Sequence, residues 1–328
     1  MEVLFTVLIN IVISICGYVG IATSLVLIDG GKKIEESGSS ELDFNELNID
    51  YTQIPDRVSY KSRDETNIDY RYYSSKSNKV LILIHGSGWH SRYFFPLASN
   101  ISENNYAHVY TPDLRGHGVN PETRGDIKYI NQLENDLFDF IKTVKVRHPN
   151  SKIILGGHSS GGGLVVRYAG SKYGNEIDAY LLLSPFLKYN APTMKNNSGG
   201  WASTHMPRIV GLSMLNNIGI KLFNNLDVID FNMPKEYRDG TETLSYSYRL
   251  NTGYAPRNYK KDLSKMDKKL LVVAGSADES FKSEEYYSAI SKYKPDVEVE
   301  IVNNVTHMGI VVGSEVRPII HNFLKEVK

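Results

Sequence analysis

Gly157-His158-Ser159-Ser160-Gly161 sets a serine hydroxyl between two glycines, directly after the apolar run Lys152-Ile153-Ile154-Leu155 and before a helix-like run at 162–169. A strand that ends in such a turn lifts the hydroxyl clear of a sheet, where it can attack a carbonyl carbon. The strained backbone leaves its neighbours too closely packed to carry side chains, which accounts for the glycines. Ser159 is the candidate nucleophile; Ser160 is off-centre between the glycines. Serine is a weak nucleophile near neutral pH and needs a histidine base and a group to orient it. Where an elbow of this kind is used, the acid and then the histidine follow it in the chain, each just past a strand end. Asp278 stands in Gly275-Ser276-Ala277-Asp278-Glu279, beyond the apolar run 270–274, and His307 stands beyond the run 297–302. Asp278 is favoured over the adjacent Glu279, and the other available strand end, Leu183-Ser184-Pro185, carries no acid. Among the later histidines, His205 falls in an irregular stretch and His321 in a terminal helix. The developing oxyanion calls for backbone N–H donors. These are expected from Ser160 and from Ser87, in the loop Ile84-His85-Gly86-Ser87-Gly88. His85, His117 and His158 precede the acid or adjoin the serine and read as loop supports, as do Asp113 and Arg115.

Positioning these residues requires alternating strands and helices. Two β-like runs near 57–60 and 68–73 flank a polar turn and read as an antiparallel hairpin. Strands follow at 80–84, 108–111, 152–155, 179–183, 270–274 and 297–302, the first of them continuously apolar, separated by helix-like segments near 94–104, 127–147, 162–169, 283–293 and 310–327. Continuous apolar strands between helices predict an α/β fold, with a mostly parallel central sheet covered on both faces. Residues 186–265 break the alternation. That stretch is too long for a plain loop and predicts a mainly helical cap insertion. The domain is expected to span 51–328, with 29–50 a solvated linker rich in Gly, Ser, Glu and Lys.

Residues 3–28 are almost wholly apolar. A bilayer core needs about 20 such residues in a helix, so 1–28 is expected to be a single-pass N-terminal transmembrane anchor. A cleaved signal would have a basic start, a shorter apolar region and a small-residue site, none of which fits. Lys32 and Lys33 follow the span and lean toward a cytoplasmic catalytic domain. A chain beginning near Gly38 would keep every site residue and is expected to be soluble. The 37 basic and 37 acidic residues cancel, which gives no sign of nucleic-acid binding. Cys16 is the sole cysteine and lies in the apolar run, so no disulfide framework or cysteine-based metal site can form within the chain. The chemistry read here calls for no cofactor and no metal.

His85-Gly86-Ser87-Gly88-Trp89-His90-Ser91-Arg92-Tyr93, Asp113-Leu114-Arg115-Gly116-His117-Gly118, Gly157-His158-Ser159-Ser160-Gly161-Gly162, Gly275-Ser276-Ala277-Asp278 and His307 together resemble the monoacylglycerol lipase and lysophospholipase branch of the α/β-hydrolases, often grouped with serine-aminopeptidase-like hydrolases. The resemblance runs over about 55–327. It implies a Ser159, Asp278, His307 triad with Ser87 and Ser160 amides as oxyanion hole. It also implies a serine hydrolase that cleaves carboxylic esters of the acylglycerol or lysophospholipid kind through an acyl-enzyme. Three positions depart from the pattern: Ser160 where methionine is frequent, Trp89 where an acid is frequent, and Asn120 where serine is frequent. An aminopeptidase-like peptidase or amidase on the same triad is the second expectation, and a non-catalytic membrane-anchored binding protein the third.

Overall fold

Val80, Leu81, Ile82, Leu83 and Ile84 present no polar face, and a strand of this kind needs cover on both sides. The computed structural model, which describes residues 1–28, 42–119 and 121–328, buries all five completely at the centre of a sheet. In chain order the elements begin with α1 (Glu2–Leu27), β1 (Val58–Lys61), β2 (Asn67–Tyr73), β3 (Lys79–Ile84), α2 (Phe95–Glu103) and β4 (His108–Pro112). Next come α3 (Gln132–Arg147), β5 (Lys152–His158), α4 (Ser160–Ala169) and β6 (Ala179–Leu183). A second region holds β7 (Ala202–Thr204), α5 (Met206–Asn217), β8 (Asp227–Phe231), β9 (Ser245–Ser247), α6 (Tyr248–Tyr254) and α7 (Tyr259–Leu263). The chain then returns through β10 (Lys269–Gly275), α8 (Tyr286–Ile290), β11 (Glu298–Val302), α9 (Gly309–Val312) and α10 (Arg317–Glu326).

The main sheet has eight strands in the order β1-β2-β4-β3-β5-β6-β10-β11. The β1–β2 hairpin is antiparallel and β2 pairs antiparallel with β4, while every pairing from β4 to β11 is parallel. The strands that feed Ser87, Ser159, Asp278 and His307 are β3, β5, β10 and β11, so all four residues emerge at C-terminal strand ends, as the sequence predicts.

The insertion departs from the expected mainly helical cap in one respect. Its helices carry more residues than its strands, but β7, β8 and β9 form a separate three-stranded antiparallel sheet. Two of those strands are only three residues long and leave no readable alternation. The helix expected over 127–147 begins at Gln132, and the terminal helix splits at Gly313 into α9 and α10, with Pro318 in the first turn of the latter. Between 283 and 293 the helix is shorter than expected, a 3₁₀ turn leading into α8.

Helix α1 is apolar enough to cross a membrane, with a mean hydropathy of 2.3 over its most apolar window, and that window is not buried by the rest of the chain. Its last turns do find a partner. Ala22 and Val26 are buried with Leu212, Leu215, Val228 and Tyr248 in a small second core. Tyr18 Oη donates to the Met214 carbonyl at 3.1 Å, and Arg208 Nε donates to the Val26 carbonyl at 3.3 Å. The close approach depends on Gly211 of α5, where a Cβ would lie 2.5 Å from the Ala22 carbonyl oxygen. Gly17 and Gly20 of α1, the small residues visible in the sequence, face open space.

The linker expected over 29–50 needs revision. Residues 29–41 lie outside the described residues, as does Asn120. From residue 42 the chain is already packed: Leu42, Phe44 and Leu47 are buried, the last two in a 3₁₀ turn, Phe44–Leu47. Packed structure is therefore already present at Leu42, ahead of the expected start at residue 51.

Candidate active site

Strand β5 enters the turn at His158, and Ser159 adopts φ 54° and ψ −122° before α4 begins. A non-glycine residue in that region is strained and persists only where its surroundings hold it. Here the Ser159 N–H donates to the Leu183 carbonyl at 3.0 Å, and its carbonyl accepts from Phe186 N–H at 2.9 Å and Gly163 N–H at 3.2 Å. The flanking glycines are required by contact. A Cβ on Gly157 would lie 2.5 Å from the Gly161 carbonyl carbon, and one on Gly161 would fall onto the Ile84 carbonyl.

Asp278 and His307, 29 residues apart in sequence, meet past β10 and β11. His307 Nδ1 lies 2.9 Å from Asp278 Oδ2. Asp278 Oδ1 accepts the Ser280 and Phe281 amides, each at 2.9 Å, and Lys195 Nζ donates to the Asp278 carbonyl. Burial alone would raise the Asp278 carboxyl, but the facing His307 and its hydrogen bond outweigh burial and hold it below its ordinary value. With Nδ1–H committed to Asp278, Nε2 is the basic nitrogen of His307. Glu279, the competing acid, does not touch the ring. Its Oε2 accepts the His307 backbone N–H at 2.8 Å and its Oε1 accepts the Asp43 N–H at 3.2 Å.

Burial pulls the His307 imidazolium down, yet Asp278 and then Glu279 push it up, and the net position is above the ordinary 6.5. A general base works only when neutral. Activity is therefore expected to be lost as pH falls through a value above 6.5, and a kcat/KM–pH profile would read this directly. An acidic limb well below 6.5 would remove His307 from the role of base.

In the loop after β3, the Gly86 N–H donates to Tyr93 Oη at 2.5 Å and the Gly88 N–H donates to Tyr246 Oη at 2.9 Å. The Ser87 amide lies between these two, in a residue that lines both compartments with Ser159, and a Cβ on Gly86 would lie 3.2 Å from Ser159 Cβ. Ser160 is the first residue of α4, and the first amides of a helix have no internal acceptor.

The three histidines read as supports behave as such. His85 Nε2 accepts the Leu114 N–H at 3.0 Å while its Nδ1 faces the Gly86 carbonyl at 2.8 Å. His117 bridges the Arg115 carbonyl and Tyr246 Oη, and His158 bridges the His307 carbonyl and Tyr93 Oη. All three are buried, and burial pushes each below the ordinary histidine value, so they hold loops as neutral rings. Asp113 accepts from the Ser91 amide and hydroxyl, and Arg115 is fixed by Asp136 and Asp64. Tyr93, Tyr246 and Trp201 also belong to the site. Tyr93 ends the stretch 85–93 that carries the resemblance, without its hydroxyl having a role there, whereas Tyr246 and Trp201 are brought in from the cap and no local motif marks them.

Two compartments meet at Ser159 and Ser87. The larger, with an open volume of about 550 Å³, is lined by Ser160, Phe186, Ile229, Phe231, Tyr246 and Tyr254 among others. The smaller, about 350 Å³, is lined by His307, Met308, Trp89, Met233, Leu42 and Phe44. Trp201 lies between them, its Nε1 donating to Ser87 Oγ at 3.2 Å.

The strand order, the strained serine after β5 and the cap between β6 and β10 define an α/β-hydrolase. The model of the family described as serine aminopeptidase, S33, matches residues 75–311, and the chain belongs to that family. It is similar to the monoglyceride lipase of Saccharomyces cerevisiae, 30% identical over 157 residues that make up 43% of this chain and 50% of that protein. It is also similar to the monoacylglycerol lipase of Mycolicibacterium smegmatis, 30% identical over 106 residues, or 32% of this chain and 37% of that protein. The matched segments thus span half or less of these lipases. A crystal structure of a soluble variant of the Saccharomyces cerevisiae monoglyceride lipase superposes with a TM-score of 0.62, over 84% of this chain and 95% of that one, at 18% identity.

Proposed function

We propose that this chain is a serine hydrolase that cleaves carboxylic esters through an acyl-enzyme, with acylglycerol or lysophospholipid-like lipids as its substrate class. The observation that carries the proposal is His307, 2.9 Å from Asp278 behind it and sharing a pocket wall with a serine held at φ 54°. Ser159 Oγ attacks the ester carbonyl while His307 Nε2 takes its proton, and Asp278 steadies the resulting imidazolium. The Ser87 and Ser160 amides hold the oxyanion. Collapse of the tetrahedral intermediate expels the alcohol, which takes the proton from His307, and water activated by the same imidazole releases the acid.

Amide or peptide cleavage on the same triad is the second reading, and the compartments argue against an aminopeptidase. Recognition of a substrate ammonium requires carboxylates, but among the described residues no Asp or Glu lines either compartment. Of the cap acids, Asp239 pairs with Arg92 at 3.0 Å and Glu242 accepts the Gly240 N–H at 2.8 Å. The walls are mainly apolar and aromatic, which suits an acyl chain. Labelling with a fluorophosphonate, followed by turnover of a panel of acyl esters and aminoacyl amides, tests the proposal. Labelling of Ser159 with ester turnover is expected; preference for the aminoacyl amides would replace the ester reading with the peptidase one.

We further infer that α1 is a single-pass membrane anchor, with the catalytic domain leaning to the cytoplasmic side. Its length, about 39 Å at 1.5 Å per residue, exceeds a hydrocarbon core of about 30 Å. The full chain is expected to pellet with membranes and to resist carbonate and high-salt extraction. Intact-mass analysis showing a mature terminus between residues 17 and 35 in a soluble fraction would make the segment a signal peptide instead.

A further inference from the structure

The stretch Leu42–Leu47 lies outside the family match at 75–311, yet it reaches the catalytic site. Leu42 and Phe44 line the smaller compartment beside Ser159 and His307. The Phe44 ring packs against Trp201 at 5.5 Å and stacks on Tyr237 at 5.4 Å, which closes the strap onto the cap. Polar contacts tie it down on the other side. Tyr237 Oη donates to Asn45 Oδ1 at 2.6 Å, and Thr306 Oγ1, next to His307, donates to Glu46 Oε2 at 2.6 Å. The Asp43 N–H donates to Glu279, which also holds the His307 amide. The strap therefore bridges the cap and the histidine loop directly over the catalytic residues.

Reaction chemistry says which half of the substrate meets it. The leaving oxygen must end within reach of His307 to be protonated. Of the two compartments, the smaller includes His307 in its wall and the larger does not, while Ser160 lines the larger. The alcohol side of the ester then occupies the smaller compartment and the acyl chain the larger one. Resting on the ester-hydrolase reading above, we propose that the strap Leu42–Leu47 is a wall of the leaving-group compartment and that Phe44 sets the size of alcohol the enzyme accepts.

The test is a graded series in the full chain: Phe44→Ala, Phe44→Leu and Phe44→Trp. Each is assayed on esters of one short acyl group with alcohols of increasing bulk, and on methyl esters of increasing acyl length. The ratio of kcat/KM for bulky over small alcohols is expected to rise about tenfold in Phe44→Ala, less in Phe44→Leu, and to fall in Phe44→Trp, the scale on which a few methylenes in an apolar pocket are read. The acyl-length dependence is expected to keep its wild-type shape. A flat alcohol ratio across the series overturns the proposal. So does a uniform fall in kcat without dependence on alcohol size, which would make Phe44 a mere prop for Trp201, and so does a shift in the acyl series. Fluorophosphonate labelling of the wild type separates the two readings. No adduct at Ser159 sinks the ester hydrolase itself, whereas an adduct with a flat alcohol ratio sinks only the strap's role.

Discussion

Ser159→Ala is expected to lower kcat for ester hydrolysis by about six orders of magnitude, the loss seen when a triad nucleophile is removed elsewhere. The expectation of a folded variant has a structural basis. The hydrogen bonds that hold Ser159 run through its backbone, to Leu183, Gly163 and Phe186, and alanine keeps all of them. Ser159 is buried at the end of β5, so a lost hydroxyl removes little packing. Thermal unfolding should stay close to wild type while turnover disappears, and a mass-spectrometric adduct should locate the fluorophosphonate on Ser159. Near-normal turnover, or an adduct on Ser160, would contradict the assignment.

Asp278→Asn is expected to cost about 10³–10⁴ in activity, because an amide group facing Nδ1 favours the wrong tautomer of His307. The fold should survive, since the remaining carbonyl oxygen can still accept the Ser280 and Phe281 amides. Glu279→Gln is the control. Glu279 reaches the His307 backbone and not its ring, so kcat at the pH optimum should change little. The acidic limb of the profile should move to lower pH, because Glu279 is one of the charges that raise His307. The opposite pattern, a severe loss in Glu279→Gln and a mild one in Asp278→Asn, would transfer the acid to residue 279.

The site was legible in the sequence where chemistry imposes local punctuation. An apolar strand, then a glycine-flanked serine, then a helix leaves little freedom, and strand ends at 275 and 302 bring the acid and base to one edge of the sheet. What stayed hidden depends on distant contacts. Two of the three cap strands are too short to alternate, so the sheet's order comes from pairing across 202–247. Leu42, Phe44 and Leu47 read as linker because polar residues surround them, and their burial comes from contacts outside the segment, such as Phe44 with Trp201. Helix α3 starts late because Asp126 and the Lys128 carbonyl are held by Arg249 of α6 in a tertiary arrangement that periodicity does not register. The contact at Gly211 was missed for a related reason: its partner Ala22 lies about 190 residues earlier in the sequence.

The seat of α1 on α5 changes what it means to cut the chain. A protein beginning near Gly38, expected from sequence to be soluble, would lose more than a tether. Ala22 and Val26 cover Leu212 and Leu215, and without them that face of the cap lies bare. Met206, Val210, Ile218, Leu222 and Phe223 of the same region are exposed already, so the exposed apolar area of the cap would grow further. A surface of that kind draws copies of a protein together in water. Shortening the chain thus exchanges an insoluble helix for a sticky cap, and a well-behaved soluble form needs polar replacements at Leu212 and Leu215 alongside the deletion.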